Sequence, residues 1–233
     1  GMSHFLFRPF MTKYTRLDRK TRHAADMYIN VLEQLGVTDV ANHGLHIETC
    51  KEWNDEVFHF YESQGVMPRD KIIGFNIGSA VPEKRWPAER FADVADYFGN
   101  KGYKTVFFGG PMDLDMVKPV VEQMKTSPIV ATGAFKLGPL AAAMKWCDLL
   151  ITNDSGPMHV AISQGVPIVA LYGPSNPFFY GPYQAKSIVL ESMDHYEIGK
   201  SMKQVIKEGK YKGISVITEE QVIKAAETLL QES

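Results

Sequence analysis

The sequence predicts an α/β fold: a doubly wound parallel sheet preceded by a helical extension. From residue 71 onward, short apolar runs rich in β-branched and aromatic residues recur, and their near-continuous character is typical of strands covered on both faces. Longer segments with helical periodicity separate these runs, and an alternation of strand and helix indicates a parallel sheet. The earlier part of the chain has helical patterns without such runs.

The predicted strands cover residues 72–77, 105–108, 129–131, 149–152, 168–172 and 188–190. Helical spacing of apolar residues predicts one helix from Ala24 to Leu35 and another over residues 51–64. Pro87 and Gly102 mark the start and the end of the helix after the first strand. We therefore expect two regions: a helical extension or linker at residues 1–69 and a Rossmann-like domain at residues 70–233.

Composition and charge exclude several classes of protein. The chain has 233 residues, of which 45% are hydrophobic, so it can bury a substantial core. Its 25 Lys and Arg residues are balanced by 27 Asp and Glu residues, which leaves no overall positive charge to hold nucleic acid. No apolar run approaches the roughly 20 residues needed to span a bilayer. We therefore expect a cytoplasmic protein without a transmembrane segment, in which Cys50 and Cys147 are reduced.

Most of the unusual residues lie in four loops, each of which follows a predicted strand. The loops begin after residues 77, 108, 152 and 172. In an open parallel sheet, ligands bind beyond the carboxyl ends of the strands, where such loops meet. We therefore expect a ligand site at that edge of the sheet.

The loop after the fourth strand gives the strongest local signal. Asp154, Ser155 and Gly156 lead into a helix expected to end near Gly165, and a helix start presents free N–H groups and a positive dipole end to a phosphate. Gly156 would permit close approach of a ligand to the backbone. Helix capping by Asp154 or Ser155 explains the same residues equally well. His159, one turn after Ser155, is either a polar residue near the phosphates or a histidine satisfied in the core.

The loop after the first strand combines small residues with two adjacent cations. Ser79 precedes Lys84 and Arg85, and either cation could neutralise a diphosphate leaving group without a metal ion. Because adjacent side chains seldom face the same way, we expect one cation to bind the ligand and the other to pair with a carboxylate. Lys84 is the preferred binder. Taken alone, a solvated basic turn explains this loop equally well.

The loops after the second and fifth strands carry weaker signals. Gly110 would let a nucleoside approach the backbone, and Asp113 could accept hydrogen bonds from ribose hydroxyls or base edges. Asp113 and Asp115 also form a D-x-D pattern that can hold Mn²⁺, but acidic residues favoured by the dipole of a helix start explain it better. Ser175 could line a sugar pocket.

Several common motifs are missing from the sequence. It has no G-x-G-x-x-G, Walker A, H-E-x-x-H or paired C-x-x-C pattern, which argues against simple dehydrogenases, NTPases and zinc hydrolases. Asp154, Ser155 and His159 do not form the G-x-S-x-G elbow of a serine hydrolase. The lysine-rich stretch at residues 200–212 is expected to be a solvated loop and helix.

Together, the four loops resemble the C-terminal half of glycosyltransferase family 9, the ADP-heptose:lipopolysaccharide heptosyltransferases of the GT-B fold. The resemblance covers residues 70–233 and rests on residues 78–91, 108–113, 148–165, 167–177 and 217–230. Its most specific parts are the K-R-W-P string at residues 84–87 and the N-D-S-G-P-M-H string at residues 153–159. The resemblance implies a glycosyltransferase whose Rossmann-like C-terminal domain binds the sugar donor.

By this resemblance, the protein is an enzyme that binds ADP-heptose or a related nucleotide sugar and requires no metal or other cofactor. Lys84 and residues 154–156 would contact the diphosphate and the sugar, and Asp113 would contact the nucleoside in place of the Glu that is common in the family. The family transfers the sugar with inversion to the lipopolysaccharide core at the cytoplasmic face of the inner membrane. The expected donor-binding residues are Ser79, Lys84, Arg85, Gly110, Asp113, Asp154, Ser155, Gly156 and His159.

Two features depart from the family pattern. The family carries an acceptor-binding domain before this point, with the Asp that acts as the base, whereas this sequence shows no strand-glycine-helix start. We therefore expect this chain alone to be inactive and its exposed apolar area to favour self-association. Residues 191–213 also lack the cysteines of many relatives. Two alternatives stay open: a non-catalytic nucleotide-sugar-binding module and a GT-B-like sugar-nucleotide epimerase.

Overall fold

A parallel sheet with helices on both faces forms the centre of the molecule. The computed structural model describes residues 22–38, 40–193, 196, 200–209 and 211–232. Within these ranges the six strands are β1 (Ile72–Asn76), β2 (Lys104–Phe108), β3 (Ile129–Val130), β4 (Leu149–Asn153), β5 (Ile168–Tyr172) and β6 (Ser187–Glu191). The helices are α1 (Ala24–Gln34), α2 (Lys51–Ser63), α3 (Ala88–Asn100), α4 (Leu114–Gln123), α5 (Leu137–Met144), α6 (Gly156–Ile162), α7 (Pro177–Tyr180), α8 (Met202–Lys207) and α9 (Glu219–Gln231).

The strand order β3-β2-β1-β4-β5-β6 confirms the predicted doubly wound sheet. Strand β1 pairs in parallel with β2 on one side and with β4 on the other. The chain runs outward from β1 to β3, returns to β4, and then runs outward in the opposite direction to β6. This reversal between β1 and β4 is the topological switch point, where sheets of this kind bind ligands.

Two apolar clusters lie on the two faces of the sheet. One joins strand residues such as Ile72 to α2, α5 and α6, and the other joins strand residues such as Ile73 to α3, α4 and α9. Because both faces are covered, every residue of β1, β4 and β5 is buried, which explains the near-continuous apolar runs in the sequence. Cys147, buried on the first face, and Cys50 are both free thiols, as predicted.

Helix α2 packs into the first cluster although it precedes the sheet in the chain. Val57 and Tyr61 are 0% exposed, and Tyr61 Oη donates a hydrogen bond to the carbonyl of Ala143 in α5 at 3.1 Å. A Cβ atom at Gly138 of α5 would lie 2.5 Å from Trp53 Cε2, so this glycine allows the two helices to approach closely. The division between residues 69 and 70 stays a prediction, but α2 packs with the sheet.

Helix α1 lies against the loop that follows β5. His23 caps this helix by accepting a hydrogen bond from Ala25 N, and its ring stacks on Tyr183 with centroids 4.5 Å apart. Tyr183 Oη donates to Asp26 in the first turn of the helix. The helical character predicted for the region before the sheet is therefore confirmed for α1 and α2, whereas residues 1–21 lie outside the described residues.

Candidate functional site

The predicted site residues collect at the carboxyl edge of the sheet. Ser79, Lys84 and Arg85 follow β1, and Asp154 and Ser155 follow β4, so these two groups meet at the switch point. Gly110 and Asp113 follow the neighbouring strand β2, Gly156 opens α6, and His159 lies one turn along that helix. The structure thus brings all nine residues to one edge: Ser79, Lys84, Arg85, Gly110, Asp113, Asp154, Ser155, Gly156 and His159.

An ion pair between Lys84 and Asp154 joins the two groups. The side chains are 18% and 6% exposed, respectively. Asp154 also accepts a hydrogen bond from Ser175 Oγ at 2.6 Å and one from Tyr172 Oη at 3.3 Å. Burial and the adjacent Asp154 charge raise the pKa of Tyr172 well above its ordinary value, so this phenol stays a donor.

The arrangement of the two cations differs from the expectation. The sequence predicted that Lys84 would be the binder and that its neighbour would pair with a carboxylate, but Lys84 forms the ion pair. Arg85 Nε instead donates to the carbonyl of Ser79 at 2.8 Å, within its own loop. A 3-10 turn at Pro82–Lys84 gives the adjacent side chains these different directions. To bind a ligand, the Lys84 ammonium group must therefore either contact the ligand and Asp154 together or give up its ion pair with Asp154.

The start of α6 also differs from the capping explanation. Ser155 occupies the N-cap position, but its side chain makes no capping hydrogen bond; its Oγ accepts from Asn76 Nδ2 at 2.7 Å. The carboxylate of Asp154 contacts Lys84 and Ser175. Capping by the side chain of Asp154 or Ser155 was therefore a wrong explanation, because neither side chain bonds a backbone N–H group of α6.

His159 lies close to this turn in a half-buried position. Burial is the largest cause that lowers its pKa below the ordinary value, with nearby His23 acting in the same direction and Asp154 opposing it. A neutral imidazole can donate or accept a hydrogen bond. Helix α6 ends at Ile162, somewhat before the expected end near Gly165.

Two buried asparagines that the sequence reasoning missed hold the loops in place. Asn153 Nδ2 donates to Ile77 O at 2.8 Å, and its Oδ1 accepts from Trp86 N at 3.1 Å. Asn76 Nδ2 contacts both Thr152 Oγ1 at 3.0 Å and Ser155 Oγ at 2.7 Å. Amides at the ends of apolar strands were the available signal, because a buried amide needs polar partners.

Asp113 fills a gap bordered by glycines between the loops after β1 and β2. Its Oδ2 accepts a hydrogen bond from Gly110 N at 2.8 Å, and a Cβ atom at Gly78 would lie 2.5 Å from its Oδ1. Asp115 lies in the first turn of α4, as predicted from its preference for a helix start. Among the described residues, no group of three or more His, Cys, Asp or Glu side chains could hold a metal ion.

A cleft of about 430 Å³ opens beside the ion pair. Lys84 lines it from the loop after β1, Ser175 from the loop after β5, and Met27 from α1. Its remaining described lining consists of Val81, Pro174, Asn176, Phe179, Tyr180, Tyr196, Lys200, Ser201, Met202 and Val205. Ligand sites commonly have this size and this combination of apolar walls with a few polar groups.

Two tyrosines from the segment after β6 fasten the loops around this cleft. Tyr196 Oη donates to Gly173 O at 2.8 Å, and Tyr211 Oη donates to Glu83 O at 2.6 Å. A Cβ atom at Gly173 would lie 2.9 Å from both Glu83 O and Tyr211 Oη, so the absence of a side chain allows this contact. The sequence offered no signal for these ties, because they connect residues far apart in the chain.

Comparison with known proteins places the chain in a family. A family model described as glycosyltransferase family 9 (heptosyltransferase) matches residues 6–212. Lipopolysaccharide heptosyltransferase 2 of Salmonella typhimurium is 32% identical over 166 residues, which are 69% of this chain and 47% of that protein. The chain thus spans about half the length of the curated relatives it matches. None of the helices that the structure describes is long and apolar enough to cross a membrane.

Solved structures agree with this match. A crystal structure of a glycosyl transferase family 9 protein from Veillonella parvula has a TM-score of 0.94 and 81% identity, and the match covers 100% of this chain and 67% of that one. The structure of ADP-heptose lps heptosyltransferase II of E. coli has a TM-score of 0.65 and 27% identity, with 80% and 54% covered. The predicted family is confirmed: this chain belongs to glycosyltransferase family 9, the heptosyltransferases.

Proposed function

We propose that the chain is the donor-binding part of a heptosyltransferase-type enzyme and binds an ADP-heptose-like nucleotide sugar at the switch point between β1 and β4. The observation that carries this proposal is the partly buried pair of Lys84 and Asp154 beside a cleft, formed by the two sequence strings most specific to the family. The E. coli relative at 27% identity is named for ADP-heptose and lipopolysaccharide, which supports the choice of donor and acceptor.

In the proposed complex, Lys84 neutralises the diphosphate without a metal ion. A phosphate oxygen competes with Asp154 for the ammonium group, and Asp154, still held by Ser175 and Tyr172, accepts hydrogen bonds from the sugar. Such a fixed cation stabilises the charge that develops on a departing diphosphate. The carboxylate of Asp113 already accepts a hydrogen bond from Gly110 N, which supports a role for Asp113 other than metal binding.

The proposed reaction is an inverting transfer to a lipopolysaccharide-core acceptor. A bond forms between an acceptor oxygen and the anomeric carbon, the bond from that carbon to the diphosphate breaks, and the acceptor proton passes to a base. Of the described residues that line the cleft, none is Asp or Glu. We propose that the base is a carboxylate of the acceptor-binding domain that the family resemblance implies, and that this domain would meet its lipid-linked acceptor at the cytoplasmic membrane face.

Isothermal titration of the chain with ADP, UDP and GDP, with and without EDTA, tests the donor site. We expect selective ADP binding that survives EDTA and weakens at least about tenfold in Lys84→Ala, because a charged hydrogen bond is lost. Lys71→Ala is the matched control, since Lys71 pairs with Asp148 near the opposite edge of the sheet. Equal affinities for wild type and Lys84→Ala, or no nucleotide binding at millimolar concentration, would contradict the proposal.

A further inference from the structure

The cleft beside Lys84 has a second lysine in its wall. Among the described residues that line it, Lys84 and Lys200 carry the positive charges, and the others are apolar or uncharged polar residues. Lys84 enters from the loop after β1, whereas Lys200 immediately precedes the N-cap of α8. The two ammonium groups therefore belong to different walls of one cleft.

Both lysines are paired with carboxylates that do not line the cleft. Lys84 pairs with Asp154 and Lys200 pairs with Glu208, and the two lysine side chains are 18% and 29% exposed, respectively. Each pair keeps a cation at the cleft wall, and neither carboxylate belongs to the lining. An incoming anion can then share or replace the carboxylate without moving the backbone.

Described residues before and after Lys200 contact the cleft. Tyr196 Oη donates to Gly173 O at 2.8 Å, which ties Tyr196 to the loop after β5. Met202 and Val205, in the helix that follows Lys200, also line the cleft, and Val205 is buried. Lys200 itself is half-buried, whereas Lys203 and Lys207 on that helix are exposed.

A diphosphate requires more positive charge than one lysine supplies. It carries at least two negative charges near neutral pH, and charge builds up further as it departs, so a single ammonium group leaves it partly uncompensated in a site with apolar walls. We infer that Lys200 is a second phosphate-binding residue, and that the donor diphosphate is held between Lys84 and Lys200. This inference rests on the proposed donor site and adds a residue from the segment after β6.

Titration of ADP and AMP against Lys200→Met tests the inference on the whole chain. We expect ADP binding to weaken about tenfold, because one charged contact is lost, and AMP binding to change less than about threefold, because Lys84 alone can serve one phosphate. Lys203→Met, on the helix that follows Lys200, is the matched control and should bind both nucleotides as the wild type does. Lys200→Arg, which keeps the charge, should retain ADP binding within about threefold.

A further variant addresses the resting ion pair. Glu208→Gln removes a carboxylate that pairs with Lys200, so ADP should bind as tightly as in the wild type or a few-fold more tightly. If Lys200→Met binds ADP normally while Lys84→Ala does not, the inference is overturned and the proposed donor site stands. Equal losses for ADP and AMP, or loss in Lys200→Arg as well, would also overturn it. If the wild type binds no ADP, both proposals fall together.

Discussion

At the scale of single residues, a substitution of Gly156 tests ligand binding at the start of α6 separately from stability. It is the first residue of that helix, and a Cβ atom built on it would have no neighbour within 4 Å. Gly156→Ala should therefore leave the melting temperature unchanged but weaken ADP binding several-fold, because the methyl group would obstruct a ligand that approaches the backbone. Thermal unfolding and titration of the same sample check both expectations. Unchanged affinity would show that the nucleotide does not approach this backbone.

The sequence predicted which residues belong to the site, but it did not predict their contacts. Lys84, Asp154 and Ser155 could be selected because short strings around them follow strand ends. Their contacts could not, because Asp154 pairs with Lys84 across 70 positions and accepts from Ser175 across 21. Local capping rules consider only neighbours in the chain, and for this reason they assigned Asp154 and Ser155 the wrong structural role.

At the scale of elements, Asp96 of α3 connects this helix to the turn after α4. Its carboxylate accepts from Lys125 N, Thr126 N and Thr126 Oγ1 at 2.8, 2.8 and 2.6 Å. Burial by itself would raise the pKa of Asp96, but the hydrogen bonds from Thr126 and Lys125 outweigh it and hold the pKa below the ordinary value. The ionised carboxylate therefore stabilises the folded state above its unfolded pKa of about 4, and this contribution is lost as pH falls through the lower folded pKa.

Asp96→Asn should lower the free energy of unfolding by about 2 kcal/mol at pH 7, because the amide presents a donor to a backbone N–H group. The difference from the wild type should stay constant down to pH about 5 and narrow below pH about 4. Urea unfolding across this pH range measures it. Asp93→Asn, on the exposed side of the same helix, is the control for loss of charge. A pH-independent difference, or an equal loss in the control, would contradict this role for Asp96.

The central strands β1, β4 and β5 were predictable because burial on both faces dictates their composition. All six strands occur where the apolar runs lie, with ends that differ by a residue or two, as for β4 at Leu149–Asn153 against the expected residues 149–152. The packing of α2 against α5 was not predictable, because an amphipathic stripe shows that a helix is covered without showing by what. The hydrogen bonds of Tyr196 and Tyr211 were not predictable either, because they join residues far apart in the chain.

At the scale of the whole molecule, the switch point and the helix layers serve different purposes. The reversal between β1 and β4 opens the carboxyl edge for a ligand, whereas the helices seal both faces of the sheet. Helix α2 covers part of the first face from a position before the sheet in the chain. In this packing, the side chains of Val57 and Tyr61 are completely buried. The folding unit should therefore begin before residue 70.

A comparison of two shortened chains checks where the folding unit begins. Removal of residues 1–69 deletes α2 and exposes its contacts with α5; burial of Val57 and Tyr61 is worth about 1.5–3 kcal/mol for each side chain. This is a large part of a typical stability of about 5–15 kcal/mol, so chain 70–233 should melt about 10 °C or more below the full chain or fail to fold.

Chain 44–233, which keeps α2 but lacks α1, is the control and should lose less, because Met27 is the buried residue of α1. Thermal unfolding followed by circular dichroism measures all three chains. If chain 70–233 melts with the full chain, α2 is a separable linker and the predicted division between residues 69 and 70 is correct. If it melts far below chain 44–233, the donor-binding unit includes α2, because the first face of the sheet cannot be sealed without it.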